Sequence, residues 1–132
     1  MAMDMRSMVK ALATLDEESR RTMMRERLAQ FASLPDAERS AAMRQMMEAL
    51  GTLGRDDVKK LVVSRTEALG DLPDPARAAL IRTHLGLLSQ AGPEQAKAEM
   101  DLVREIMPQL SPTAQQAVQQ MMQLMAGPPG GS

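Results

Sequence analysis

A period of 19 residues runs through this chain and limits what it can fold into more than any other feature. Leu15, Leu34, Leu53, Leu72 and Leu110 are spaced by 19 or a multiple of it, and Ala91 fills the missing step. Two further columns keep the same spacing: Met24, Met43, Val62, Ile81 and Met100, then Phe31, Leu50, Leu69, Leu88 and Met107. The punctuation repeats as well. Asp16, Pro35, Gly54, Pro73, Gly92 and Ser111 follow the Leu column, and each is a residue that starts, caps or breaks a helix. Ala32, Gly51, Gly70, Ser89, Pro108 and Gly127 stand near the unit ends. Glycine there fits the left-handed residue that often closes a helix, and Pro108 cannot continue one.

Each unit therefore reads as one helix of roughly 15 residues, about 22 Å long, with a tight connection. Within the second unit Met43, Met46, Met47 and Leu50 fall on one helical face, while Glu38, Arg39, Arg44, Gln45 and Glu48 fill the rest. The spacing predicts seven helices, over residues 3–14, 17–32, 36–51, 56–70, 75–90, 94–107 and 112–126. The expected fold class is all-α: short antiparallel helices, two units making a hairpin, stacked as an α-solenoid or closed into a compact helical bundle. Residues 1–14 form an N-terminal amphipathic helix, 15–126 the helical-repeat domain, and 127–132 a Gly/Pro tail expected to be disordered.

Composition narrows the function. Phe31 is the only aromatic residue among 132, whereas methionine occurs 14 times, so the core must be built from Leu, Met, Ala and Val. Methionine fills irregular gaps and also suits adaptable binding surfaces. A net charge of −1 gives no field favouring nucleic acid or an anionic membrane. No apolar run approaches the roughly 20 residues that span a bilayer. The absence of cysteine removes thiolate metal sites and Cys nucleophiles. The segment Met1–Leu15 is interrupted by Asp4, Arg6 and Lys10, unlike a secretory signal, which points to the cytoplasm.

No motif here points to an enzyme. His84, the single histidine, has no motif to supply a nucleophile or a carboxylate, and no Glu-x-x-His or His-x-x-x-His pair for a metal. It reads as a surface or boundary residue. Met1, Met3 and Met5 alternate and Met23-Met24, Met46-Met47 and Met121-Met122 are pairs, which suits soft Cu(I). Yet Met24 and Met43 share columns with Val62 and Ile81, which marks packing. Arg20, Arg21, Arg25 and Arg27 form the densest basic cluster, but Glu17, Glu18 and Glu26 interleave as on a salt-bridged solvent face. Asp56-Asp57 and Asp71-x-x-Asp74 are explained by the dipole at helix starts. No catalytic, cofactor or metal residues are assigned.

The chain ends stand out. Met1, Met5, Met8, Val9 and Leu12 make an apolar stripe before the first full repeat. Val118, Met121, Met122 and Met125 make another beside Gln115, Gln116, Gln119, Gln120 and Gln123, and no charged residue follows Glu105. Terminal repeats normally carry a polar outer face. Met5, Met8, Leu12, Val118, Met121, Met122 and Met125 are accordingly the candidate partner-binding residues.

The run Leu34-Pro-Asp-Ala-Glu-Arg-Ser-Ala-Ala-Met-Arg-Gln-Met-Met-Glu-Ala-Leu50, with Leu72-Pro-Asp-Pro-Ala-Arg77, resembles units of the superhelical domains of the magnesium-transporter N-terminus and the flagellar motor switch protein FliG. The segment Leu110-Ser-Pro-Thr-Ala-Gln115 is similar to a signature of periplasmic stress chaperones related to Spy. Taken together, the expectation is a bacterial-type cytoplasmic interaction protein: an adaptor, regulator or accessory subunit, docking protein partners or copies of itself on Met/Leu-rich helical faces. A ligand- or metal-sensing helical domain and a small helical chaperone are the alternatives.

Overall fold

Helices begin where the repeat places its punctuation. The computed structural model describes residues 4–126, the side chains of Met125 and Ala126 excepted; Met1 and the tail from Gly127 lie outside the described residues. Seven α-helices follow one another: α1 (Met5–Thr14), α2 (Glu17–Ala32), α3 (Asp36–Leu50), α4 (Arg55–Gly70), α5 (Asp74–Ala91), α6 (Pro93–Ile106) and α7 (Pro112–Ala126). Met107–Gln109 form one 3₁₀ turn around Pro108, and the described residues contain no strand. The all-α expectation holds.

The caps are made by the expected residue types. Asp4 accepts from the Ser7 N–H at 2.8 Å and Asp16 from the Ser19 N–H at 2.8 Å, each satisfying a first-turn donor. Helices α3 and α5 start after Pro35 and Pro73, with Asp36 and Asp74 in their first turns. Gly51 and Gly70, however, do not close their helices in the left-handed region. Gly51 has φ −64°, and Gly70 is the last residue of α4. Gly70 is small because α7 begins against it. A Cβ there would lie 3.2 Å from the backbone N of Ala114 and the carbonyl carbon of Thr113. The one described glycine with positive φ is Gly92 (+106°), the sole residue between α5 and α6.

Packing runs mainly between alternate helices: α1 on α3, α2 on α4, α3 on α5 and α5 on α7, with α4 also against α7 and α5 against α6. A 38-residue pair of units thus sets the distance between packed neighbours more than it defines a hairpin. Helix α4 is central, touching α1, α2, α6 and α7. Leu61 and Ala68 face one core with Val9, Leu12, Met24, Leu28 and Phe31. Val62 and Val63 face a second, with Ile81, Val103, Ile106, Val118 and Met121. Two buried neighbours of different layers, one residue apart, explain why α4 shows no single apolar face.

An arginine in three of the repeats fastens this arrangement. The Nη1 of Arg20, Arg39 and Arg77 donates to the carbonyl of the repeat Leu five residues earlier: Leu15, Leu34 and Leu72, at 2.6, 2.8 and 2.9 Å. The Nε of each reaches the helix two further on, donating to Ser64 (2.9 Å), Thr83 (2.9 Å) and Gln120 (3.0 Å). One side chain closes its own helix entry and ties it to the next packed helix. Arg39 and Arg77 also pair with Asp36 and Asp74. Gln115 stands in the same column and keeps the first half of the device, donating to the Leu110 and Met107 carbonyls at 3.1 Å.

Candidate functional site: an apolar cavity and a surface groove

The expected docking stripes mostly turn inward. Leu12, Val118 and Met121 are buried, which removes them from any docking face. Met5 and Met8 are half-buried against the first core and Met122 against the second. The side chain of Met125 lies outside the described residues. The reason is α4: its Val62 and Val63 need apolar cover, and α7 supplies it through Ala114, Val118 and Met121. The glutamines are partly recruited too, Gln115 to the α7 entry and Gln120 to Arg77. Helix α7 gains its N-terminal anion from outside, since buried Glu67 of α4 accepts from the Ser111 N–H and Oγ–H, both at 2.7 Å. Such a carboxylate satisfies an orphan donor and complements the dipole.

Two members of the basic cluster, Arg20 and Arg21, are engaged in holding helices together. Arg20 is buried on Ser64 and Leu15. Arg21 makes a two-pronged contact with Asp71 (2.9 and 3.0 Å) and lies 3.6 Å from Glu67, so both arginines tie α2 to α4. Asp71 is therefore a salt-bridge acceptor at the end of α4.

Two concave features stand out among the described residues. The first is a partly open cavity of about 70 Å³, walled by Leu28 and Phe31 of α2, Met43, Met46, Met47 and Leu50 of α3, and residues of α4 to α7 including Leu80, Ile81 and Met121. Its polar lining is Arg65, Thr66 and His84. The Thr66 hydroxyl donates to the Val62 carbonyl at 2.7 Å, inside its own helix. His84 is half-buried and does have a carboxylate beside it: its Nε2–H donates to Glu99 Oε2 at 2.5 Å, 15 residues further on. Glu99 also faces Arg65, 3.6 Å away. Burial is the largest single influence on Glu99 and opposes its ionisation. The His84 hydrogen bond and the charges of Arg65 and His84 together outweigh it and hold the carboxyl at about 2. Glu99 is thus a fixed anion binding α6 to α4 and α5. Among the described residues the one hydrogen-bond partner of the His84 ring is Glu99. Among the described residues no three His, Asp or Glu side chains converge as a metal-ligand set.

The second feature is an open groove of about 360 Å³ on the surface. Leu85 and Leu88 of α5, Gly92, Pro93 and Ala96 at the start of α6, and Leu124 of α7 line it. Leu124 is 44% exposed, one of two large apolar side chains so open among the described residues, the other being Met23. Sequence reasoning missed this groove, although Leu88 and Ala96 occupy repeat columns.

No family model matches the chain, and neither the curated proteins nor the solved structures contain a match to it. No described helix is long and apolar enough to cross a membrane.

Proposed function

We propose that this protein is a non-enzymatic interaction module, a cytoplasmic adaptor or accessory subunit, that receives an amphipathic partner helix in the groove of α5, α6 and α7. The observation that carries this reading is the position of Ala96. It stands in the column of Arg20, Arg39 and Arg77, whose members bind the helix two further along the chain. A helix continuing that pattern would pack on α6 beside Ala96, where the groove is open and Leu124 is exposed. Leu85, Leu88 and Leu124 offer an apolar floor and wall, the usual recognition chemistry for one face of an amphipathic helix. The occupant of this reading is the apolar face of a partner helix, or of a helix of a second copy, lying along Leu85, Leu88 and Leu124. The resemblance to superhelical domains of transporter and motor-switch proteins is in keeping with this reading.

The test is Leu124→Glu. An exposed substitution changes stability by under about 0.5 kcal/mol, so the melt should hold while capture of partners, or self-association by analytical ultracentrifugation, is lost. Retention of every partner by the folded variant would remove the groove from the interface.

A further inference from the structure

The partly open cavity is a product of the repeat. Leu28, Met47 and Thr66 are equivalent residues of successive units, 19 apart, and so are Phe31, Leu50 and Leu69; all six line it. The inner surfaces of several units therefore converge on one space. Its polar groups are already spent. Thr66 donates to the Val62 carbonyl, His84 donates to Glu99, and Arg65 faces that same carboxylate. Among the described residues no buried side-chain nitrogen or oxygen lacks a hydrogen-bond partner. A water molecule held in a protein needs about 2–4 polar partners, and none of the buried polar atoms is free to supply them. The rest of the wall is apolar. Met43, Met46, Met47 and Met121 contribute unbranched thioether chains that change shape without moving the backbone. Met43 and Met47 are half-buried, so the cavity meets solvent along α3.

We propose that this cavity binds a short, unbranched, uncharged hydrocarbon chain that brings no hydrogen-bonding group inside the wall. Affinity then comes from apolar surface removed from water and from dispersion contacts with the thioethers. Charge gains nothing there. Arg65, the one Lys or Arg of the lining, is paired with Glu99, and the lining contains no Asp or Glu. Size selects the shape. An apolar cavity of about 150 Å³ admits benzene; at about 70 Å³ this one takes a narrow chain of a few carbons and not a ring. A longer chain extends past Met43 and Met47. The site is separate from the groove of α5, α6 and α7, and neither reading depends on the other.

The experiment uses the full chain with ¹³C-labelled methionine methyls, titrated with propane, butane and pentane, and separately with benzene and pentanoate. The methyls of Met43, Met46, Met47 and Met121 should shift saturably with the alkanes, while that of exposed Met23 stays in place. Affinity should rise about fourfold per added methylene until the cavity is full. Pentanoate should bind about tenfold more weakly than pentane, because its carboxylate finds no partner. Leu50→Phe, which enlarges a half-buried wall residue into the space, should abolish the alkane shifts while the melt shows a folded chain. Absent or non-saturating shifts would overturn the proposal, as would shifts shared equally by Met23. Pentanoate binding as tightly as pentane would overturn the uncharged ligand, and benzene binding as tightly would overturn the unbranched one. Pentane binding unchanged in folded Leu50→Phe would place the ligand elsewhere. Should Leu50→Phe fail to fold, the comparison of pentane, benzene and pentanoate on the unsubstituted chain decides alone.

Discussion

Arg39→Met tests whether the repeat arginines hold the alternate helices together. Methionine keeps most of the apolar stem and removes the guanidinium. Two good hydrogen bonds are lost, to the Leu34 carbonyl at 2.8 Å and to Thr83 Oγ at 2.9 Å. Hydrogen bonds involving a charged group contribute about 1.5–3 kcal/mol each. The Asp36 pair adds little, because that carboxylate is almost wholly in water. The Thr83 hydroxyl keeps its own bond to the Ala79 carbonyl, at 3.0 Å, which lowers the sum. About 2–4 kcal/mol is the expected loss. With an unfolding entropy of about 2.1 cal/mol/K per residue, that lowers the melting temperature by about 7–14 °C. Arg44→Met is the control: Arg44 is exposed and bonds only Gln90 at 3.0 Å, so its melt should stay within about 2 °C, the shift that about 0.5 kcal/mol produces. Calorimetry on both variants reads the difference. If Arg39→Met melts with Arg44→Met, the column is decoration on a fold held by apolar packing alone.

Gly70→Ala sets overpacking of about 1–3 kcal/mol, from a Cβ 3.2 Å from the backbone at Thr113 and Ala114, against the roughly 1 kcal/mol that Ala gains over Gly in a helix, so urea unfolding should show a net loss of about 0–2 kcal/mol, and a clear gain would show that the α4–α7 contact yields to the added methyl. Met121→Glu should cost several kcal/mol by burying a carboxylate without a partner, measured by the same unfolding curve, and a near-native midpoint would return α7 to the docking candidates. The carboxyl of Glu99 is depressed from 4.5 to about 2, so its contribution is fully present above pH 4.5 and is lost as pH falls toward about 2. Glu99→Gln should therefore flatten the acid limb of the stability profile over that window, and an unchanged limb would refute the Glu99–His84–Arg65 cluster.

The helices were legible because their signals are local. Capping residues, prolines and the 19-residue step place every helix to within a residue or two, apart from the extra 3₁₀ turn at Pro108. The partners of those helices were not legible. A period states that units are alike, but not that α2 lies on α4 rather than α3. Val118 and Met121 illustrate the gap: an apolar stripe beside uncharged glutamines is the same in sequence whether it faces solvent or the second face of a central helix. Glu99 was hidden for a similar reason. It meets His84 across a helix turn and a glycine bend, and only the packed structure brings the 15-residue separation down to hydrogen-bond contact. Gly92 shows the converse, since its place in the column of helix starters said nothing of its positive φ.

The irregular members of the arginine column explain more than the regular ones. An arginine there needs a polar group on the helix two further on, and α4 presents Ser64 to Arg20 as α5 presents Thr83 to Arg39. At Val58 the column turns apolar, and Val58 packs into the second core. The tie from α4 to α6 is made instead by Arg55 and Lys59, which hold Glu105 at 2.7 and 3.2 Å. That connection is exposed, so it contributes less than a buried guanidinium on a carbonyl. Helix α6 is anchored mainly by Ile106, Val103 and the half-buried Glu99. Its outward face at Ala96 carries no fastening group and opens on the groove. On the proposed reading, a helix bound in that groove adds to the stability of α6 itself, so partner engagement and protection of α6 amides from exchange should rise together.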